Sequence, residues 1–186
     1  MELGLVTSNA GKVRELAAAL EPVGHTVAQR ALEYPEVQAP TLAAVVEFGL
    51  EWLAQRHSGQ ALLIDDAGLF VDALGGFPGV YSRYAYDTIG PTGVLALLGD
   101  GEARSAEFRC VLGLLLPDGG RRQFRGSCRG RIAREPRGDG GFGYDPVFVP
   151  AGDVRTFAEL PLAEKNALSH RGRALAALVV FLGDGG

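Results

Sequence analysis

Leu3-Gly4-Leu5-Val6-Thr7-Ser8-Asn9-Ala10-Gly11-Lys12-Val13 opens the chain with the pattern that decides its fold class. Four apolar residues make a short strand, and Thr7-Ser8-Asn9 supplies the side-chain oxygens that cap a helix. Val13, Leu16, Ala17 and Leu20 then recur at helical spacing. Strand, polar turn and helix in that order form the first unit of an α/β fold. Working outward, residues 25–28 read as a second short strand and Tyr34 to Pro40 as an acidic loop bracketed by prolines. A long helix is expected from about Thr41 to Arg56, with Leu42, Val45, Val46, Gly49, Leu50 and Leu53 on its apolar face. Ala61-Leu62-Leu63-Ile64 reads as a buried strand that ends at Asp65-Asp66 and delivers carboxylates to its C-terminal end.

Further along, Gly75-Gly76-Phe77-Pro78-Gly79 is a turn-rich joint and Pro91 to Leu98 a short helix. Residues 105–116 and 121–132 are strand-like and flank Pro117-Asp118-Gly119-Gly120, a strong hairpin signal. Gly138 to Phe148 is a second glycine-rich loop, and Lys165 to Leu182 reads as a polar loop running into a closing helix. The expected architecture is α/β: a mixed twisted sheet with flanking helices, a single domain over residues 1–186, as two lobes around a central cleft.

Composition excludes several classes. The 186 residues carry a formal net charge of -4, which argues against the broadly basic surface of a nucleic-acid binder. The longest apolar run, Ala174 to Leu182, is far short of the roughly 20 residues that cross a bilayer. The N-terminus has neither the basic flank nor the apolar length of a signal peptide, so the expectation is a cytoplasmic protein with no membrane partner. Cys110 and Cys128 lie in strand-like segments without metal-ligand spacing and read as small buried hydrophobes. Seven arginines between Arg121 and Arg137 read as an exposed strand face kept soluble by charge. Only two lysines, Lys12 and Lys165, stand among 16 arginines, which suggests that those two places want a compact point charge.

Four constellations carry chemistry. Thr7, Ser8, Asn9 and Lys12 gather hydroxyls, an amide, backbone N–H groups and an ammonium at a helix N-terminus, where a phosphate would sit. An ordinary capped helix with a solvated lysine is the equal alternative. Asp65-Asp66, with Glu36 in the preceding acidic loop, supplies carboxylates suited to Mg²⁺, which binds through one or two of these plus phosphate oxygens. Neighbours on a strand face opposite ways, so one of the two aspartates is central. Phe142, Gly143, Tyr144 and Asp145 interleave aromatics with glycine, a pattern that can stack on a nucleobase. Lys165, His170 and Arg171 bracket the last helix and suit an anion or a base carbonyl. Together these describe a nucleotide-phosphate pocket. A nucleotide-binding regulatory module without turnover, or a phosphatase of another phosphorylated metabolite, would use some of the same groups.

The segments Thr7-Ser8-Asn9-Ala10-Gly11-Lys12, Asp65-Asp66-Ala67-Gly68-Leu69, Gly76-Phe77-Pro78-Gly79-Val80-Tyr81-Ser82, Gly141-Phe142-Gly143-Tyr144-Asp145-Pro146 and Glu164-Lys165-Asn166-Ala167-Leu168-Ser169-His170-Arg171 resemble the inosine triphosphate pyrophosphatase, or Ham1-like, family. The resemblance spans nearly the whole chain. It implies an α/β homodimer that hydrolyses ITP, dITP, XTP and dXTP to the monophosphate and pyrophosphate with Mg²⁺, cleansing the nucleotide pool. It also implies Asp66 as catalytic carboxylate and metal ligand, Glu36 as the second metal carboxylate, and Thr7 to Lys12 with Lys165 as triphosphate contacts. Phe142 to Asp145 would take the base-stacking and sugar side, and His170 with Arg171 would read the base. Ala67 stands where many members have serine, beside the metal. Val46-Glu47-Phe48 stands where many carry a lysine.

Overall fold

The computed structural model describes residues 1–35 and 37–183. β1 (Glu2–Val6) leads through an Asn9 cap into α1 (Ala10–Leu20), and β2 (Thr26–Arg30) returns parallel to β1. α2 (Leu42–Ala54), capped by Thr41, crosses back to β3 (Leu62–Val71), which lies on the other side of β1. α3 (Ser82–Thr88) and α4 (Gly90–Leu98) fill the connection to β4 (Ser105–Leu115). β5 (Arg121–Ile132) and β6 (Phe148–Pro150) follow, and α5 (Leu162–Leu168) and α6 (His170–Gly183) close the chain. The sheet order is β2-β1-β3-β4-β5-β6, parallel from β2 to β3 and antiparallel from β3 to β6.

The mixed α/β sheet with flanking helices agrees with the sequence expectation. One strand differs in a way that matters to the site. The four-residue run was expected to stop at Asp65-Asp66, but β3 continues to Val71. Its parallel pairing with β1 ends at Leu63, whereas β4 pairs with it from Leu62↔Leu115 to Val71↔Ala106. Backbone hydrogen bonds to β4 therefore carry the strand past both aspartates, whose poor intrinsic strand preference is overridden by pairing. Two helical segments also differ from expectation. α3 was not anticipated, and Lys165 lies within α5, not in a loop.

Alternation along β3 sorts its side chains to two faces. Leu63 packs with Leu5, Leu16, Leu20, Leu112, Leu175 and Leu178 under α1 and α6, while Ile64 packs with Val46, Leu50, Leu53 and Val111 under α2. Burying each such leucine contributes roughly 1.5–3 kcal/mol, so the register of β3 is firmly set. Asp65 is consequently delivered to the face of α1 and α6, and Asp66 to the face of α2. A third cluster of Leu69, Phe108, Ile132, Phe148 and Phe157, with Val94 of α4, builds the far end of the sheet. Cys110 and Cys128 are buried free thiols, and the arginines of β5 lie on its exposed positions, both as read from the sequence. Among the described residues no helix is long and apolar enough to cross a membrane.

Candidate active site

β1 leads through α1 to β2 on one side, and β3 lies on its other side. The carboxyl ends of these parallel strands form the crevice where open α/β sheets take their ligands. Thr7 to Lys12 leave β1 at this crevice. Asn9 caps α1: its Oδ1 accepts the N–H groups of Gly11 at 2.8 Å and Lys12 at 3.3 Å, and its own N–H donates to Thr7 Oγ1 at 3.1 Å. Ser8 is exposed beside them. The Lys12 ammonium spans to β3, donating to the Asp65 backbone carbonyl at 2.8 Å and pairing with Asp65 Oδ1 at 2.6 Å.

From Asp65 a chain of alternating charges runs inward. Arg171 donates from Nε to Asp65 Oδ2 at 2.8 Å and from Nη2 to Oδ1 at 3.2 Å. Its Nη1 donates to Glu15 Oε2 at 2.6 Å, and Glu15 Oε1 accepts from Lys165 Nζ at 2.6 Å. Lys165 then donates to Asp145 Oδ2 at 2.6 Å, which also accepts the Phe142 N–H at 2.7 Å. Three cations thus alternate with three carboxylates, nearly all of them buried. Unpaired, each would pay a heavy desolvation cost; paired, they form one rigid unit. Burial alone would raise the Asp65 carboxyl, but Arg171 and Lys12 outweigh it and hold it well below the usual carboxylate range. Burial opposes the charge on Arg171, and Asp65 and Glu15 reverse that and push its pKa further up. At Asp145 burial wins over Lys165 and the carboxyl is raised.

Asp65 was expected among the metal ligands; in the structure it lies inside the ion network. Both of its oxygens are committed to Lys12 and Arg171, and Oδ2 also accepts the Cys110 thiol at 3.3 Å. Asp66, half-exposed on the opposite face, has the exposure and the hard oxygen chemistry that a divalent cation needs. Glu36 lies outside the described residues. Among those described, no three His, Cys, Asp or Glu side chains gather into a metal site.

Lys165, expected at the triphosphate, is buried between Glu15 and Asp145 and lies 4.7 Å from the centre of the Phe142 ring. Its place on α5 points it inward, where it fixes the aromatic loop. Phe142 also lies 5.4 Å from the Arg171 guanidinium and packs on Gly11, where a Cβ would come within 2.5 Å of the ring. Gly143 turns the loop at φ +63°. Tyr144 is a core residue: its ring meets Tyr86 edge-on, its hydroxyl donates to the Ser82 carbonyl at 3.0 Å, and burial raises the phenol to about 12. His170 stacks on Phe108 at 4.6 Å, and burial together with Arg171 lowers its pKa well below the ordinary value, so the imidazole is neutral. Its Nδ1 is buried with no hydrogen-bond partner among the described residues. Ser169 caps α6 by accepting the Gly172 N–H at 3.0 Å. Ala67 packs into the core cluster opposite Cys110.

Sequence reasoning missed Glu15: it lies off the apolar face of Val13, Leu16, Ala17 and Leu20 read for α1, and its burial depends on the cations Lys165 and Arg171 that pair with it.

A polar crevice at the carboxyl ends of parallel strands, flanked by a buried charge network and an aromatic loop, places the chain among the ligand-binding α/β proteins. More narrowly, the chain belongs to the Ham1 family, whose model matches residues 3–181. It is 54% identical over 182 residues to a protein of Thermococcus kodakarensis named dITP/XTP pyrophosphatase, covering 98% of this chain and 97% of that one. It is 49% identical to the Pyrococcus horikoshii protein of the same name, over the same shares of the two chains. Among solved structures it is similar to the Staphylococcus aureus Ham1 protein, with a TM-score of 0.84 and 30% identity over 100% of both chains. A HAM1 protein from Coxiella burnetii matches with a TM-score of 0.82 and 33% identity over 99% of each.

Proposed function

We propose that the protein is a Mg²⁺-dependent nucleoside triphosphate pyrophosphatase that hydrolyses ITP, dITP, XTP and dXTP to the monophosphate and pyrophosphate. The observation that carries the reading is the division of labour between adjacent aspartates. Asp65 anchors the cation network on one face of β3, and Asp66 presents a half-exposed carboxylate on the other, at the strand ends where α1 begins. The names of the relatives, dITP/XTP pyrophosphatase, support the reaction class. The same reading makes the chain one domain whose two lobes flank the cleft, acting as a homodimer on free nucleotides in the cytoplasm without nucleic acid.

Asp66 and Glu36 would hold the Mg²⁺, which neutralises charge on the phosphate oxygens when bound. The α1 N-terminal turn and Lys12 receive the phosphates, Lys12 being held over the crevice by Asp65. A carboxylate orients a water whose oxygen bonds to the α-phosphorus as the α–β bridging P–O bond breaks and pyrophosphate departs. Phe142 offers a ring face to the base.

The test is incubation with dITP, ITP, XTP, GTP and ATP, with and without Mg²⁺, assaying pyrophosphate and orthophosphate separately. Metal-dependent pyrophosphate from dITP, ITP and XTP is the expected result. Orthophosphate, or binding without product, would favour the metabolite phosphatase or the regulatory module.

Base choice falls to Arg171. Three of its five N–H groups donate to Asp65 and Glu15, and a purine 6-oxo group that reached the buried guanidinium would accept from the remaining two. Adenine presents a donor at that position, a mismatch that gives roughly 10⁴–10⁵ discrimination at a site built on hydrogen bonds. Arg171→Lys, which keeps the charge and loses the fork, is expected to erode the ITP-over-ATP ratio of kcat/KM by at least about tenfold. An unchanged ratio would remove Arg171 from base selection.

A further inference from the structure

Along β3 the backbone groups of odd-numbered residues leave the strand on the edge away from β4. The Asp65 carbonyl accepts from Lys12 Nζ at 2.8 Å, the Leu69 N–H donates to Ser82 Oγ at 2.8 Å, and the Val71 N–H donates to the Phe77 carbonyl at 3.3 Å. The register with β4 runs without a break from Leu62↔Leu115 to Val71↔Ala106, so the alternation also holds between Asp65 and Leu69. Ala67 therefore turns its N–H and C=O to that same edge. Pairing with β1 has ended at Leu63, and the segment from Phe77 to Ser82 takes up the edge only from Leu69 onward. Among the described residues the Ala67 N–H has no acceptor.

The opening in the edge is one residue wide and lies at the crevice. A half-buried backbone donor without a partner is uncommon in a folded chain, because leaving it unpaired forfeits a hydrogen bond that water would otherwise supply. Its neighbour along the chain is Asp66, and the Lys12 ammonium sits on the same edge one two-residue step away, about 7 Å. The strand already holds the N–H in place, so it meets an incoming oxygen without reorganisation, the property that lets a donor stabilise developing negative charge. The carbonyl beside it is an acceptor, so an occupant must bring an oxygen and a proton donor together, as a hydrated phosphoryl group does.

We propose that the backbone N–H of Ala67 is a substrate-binding donor: it meets a non-bridging oxygen of the phosphoryl group under attack, while Lys12 meets a neighbouring phosphoryl group of the same triphosphate. This rests on the reading of the protein as a pyrophosphatase with Asp66 beside the reacting phosphorus. The donor belongs to the main chain, so the lack of a hydroxyl at position 67 does not remove it.

The experiment has two arms. In the first, amide hydrogen exchange of the ¹⁵N-labelled protein is followed by NMR with and without the α,β-imido analogue of ITP, whose α–β linkage resists hydrolysis, in the presence of Mg²⁺. In the free protein the Ala67 amide should exchange faster than the Asp66 and Gly68 amides, which bond to β4, and the analogue should slow it by about tenfold or more. In the second arm an ester replaces the Asp66–Ala67 peptide bond, which removes this N–H and keeps the shape. Its kcat for dITP should fall by about 10²–10³-fold, the usual cost of losing one such donor, with a melting temperature close to the parent because the lost N–H is outside the β3–β4 ladder. If the ester chain does not fold, the exchange arm decides. An analogue that saturates the protein, by the shifts of other amides, yet leaves Ala67 exchanging at its free rate would overturn the proposal, as would a folded ester variant with the parent's kcat. No binding of the analogue and no pyrophosphate from the parent would sink the pyrophosphatase reading itself, and the proposal with it.

Discussion

Asp66→Asn is expected to lower kcat/KM for dITP and XTP by about 10²–10⁴-fold, and by more where the cation is lost as well. The substitution preserves size and shape at a half-exposed position on β3, whose ten residues stay paired with β4 whatever the side chain. It removes a negative charge and the ability to accept a proton from water. Thermal melting within a few degrees of the parent, together with the collapse in rate, would assign the loss to chemistry. Near-normal turnover would take Asp66 out of the mechanism and leave the two-faced reading of β3 without its catalytic half.

The largest effect on stability is expected at the other aspartate. Asp65→Ala would leave Arg171 and Lys12 without the carboxylate that joins them, with Arg171 deeply buried. Removing one partner of a buried pair costs about 3–5 kcal/mol because the remaining charge stays desolvated. For a chain of this length that is a fall in melting temperature of about 6–20 °C. An unfolding free energy from denaturant titration that falls by less than about 1 kcal/mol would mean that water reaches Arg171 in the folded state.

The pH dependence has a definite sign. Asp65 is depressed in the folded state, so its contribution is fully present above the ordinary carboxylate pKa of 3.8 and is lost as pH falls below it. Asp145 is raised by burial, so its window lies above 3.8 and has the opposite slope. The stability gap between the parent and Asp65→Ala should therefore narrow below about pH 4 and hold steady near neutrality.

Much of the site was legible residue by residue. Asn9 before a helical repeat announced the cap of α1, and the aspartate pair after an apolar run pointed to the crevice. What was not legible shares one cause. β3 was expected to end at its aspartates because local preference says so, and its continuation depends on β4, more than thirty residues later in the chain. Lys165 was read as a triphosphate contact from its motif, and its burial, which the sequence did not show, depends on Glu15 and Asp145 arriving from other elements.

The sequence by itself pointed to most of the strands and helices and where they begin, though not to α3, β6 or α5, and to an α/β chain. Those are local properties, fixed by spacing, capping and turn chemistry among near neighbours. The tertiary structure decided which aspartate joins the buried ion network and which lies on the opposite face of the sheet. It did so through pairs 106, 150 and 156 residues apart, Arg171 with Asp65, Lys165 with Glu15 and Arg171 with Glu15. A charge is buried or exposed only with respect to what packs around it, and a sheet has two faces that a linear pattern of adjacent aspartates does not tell apart.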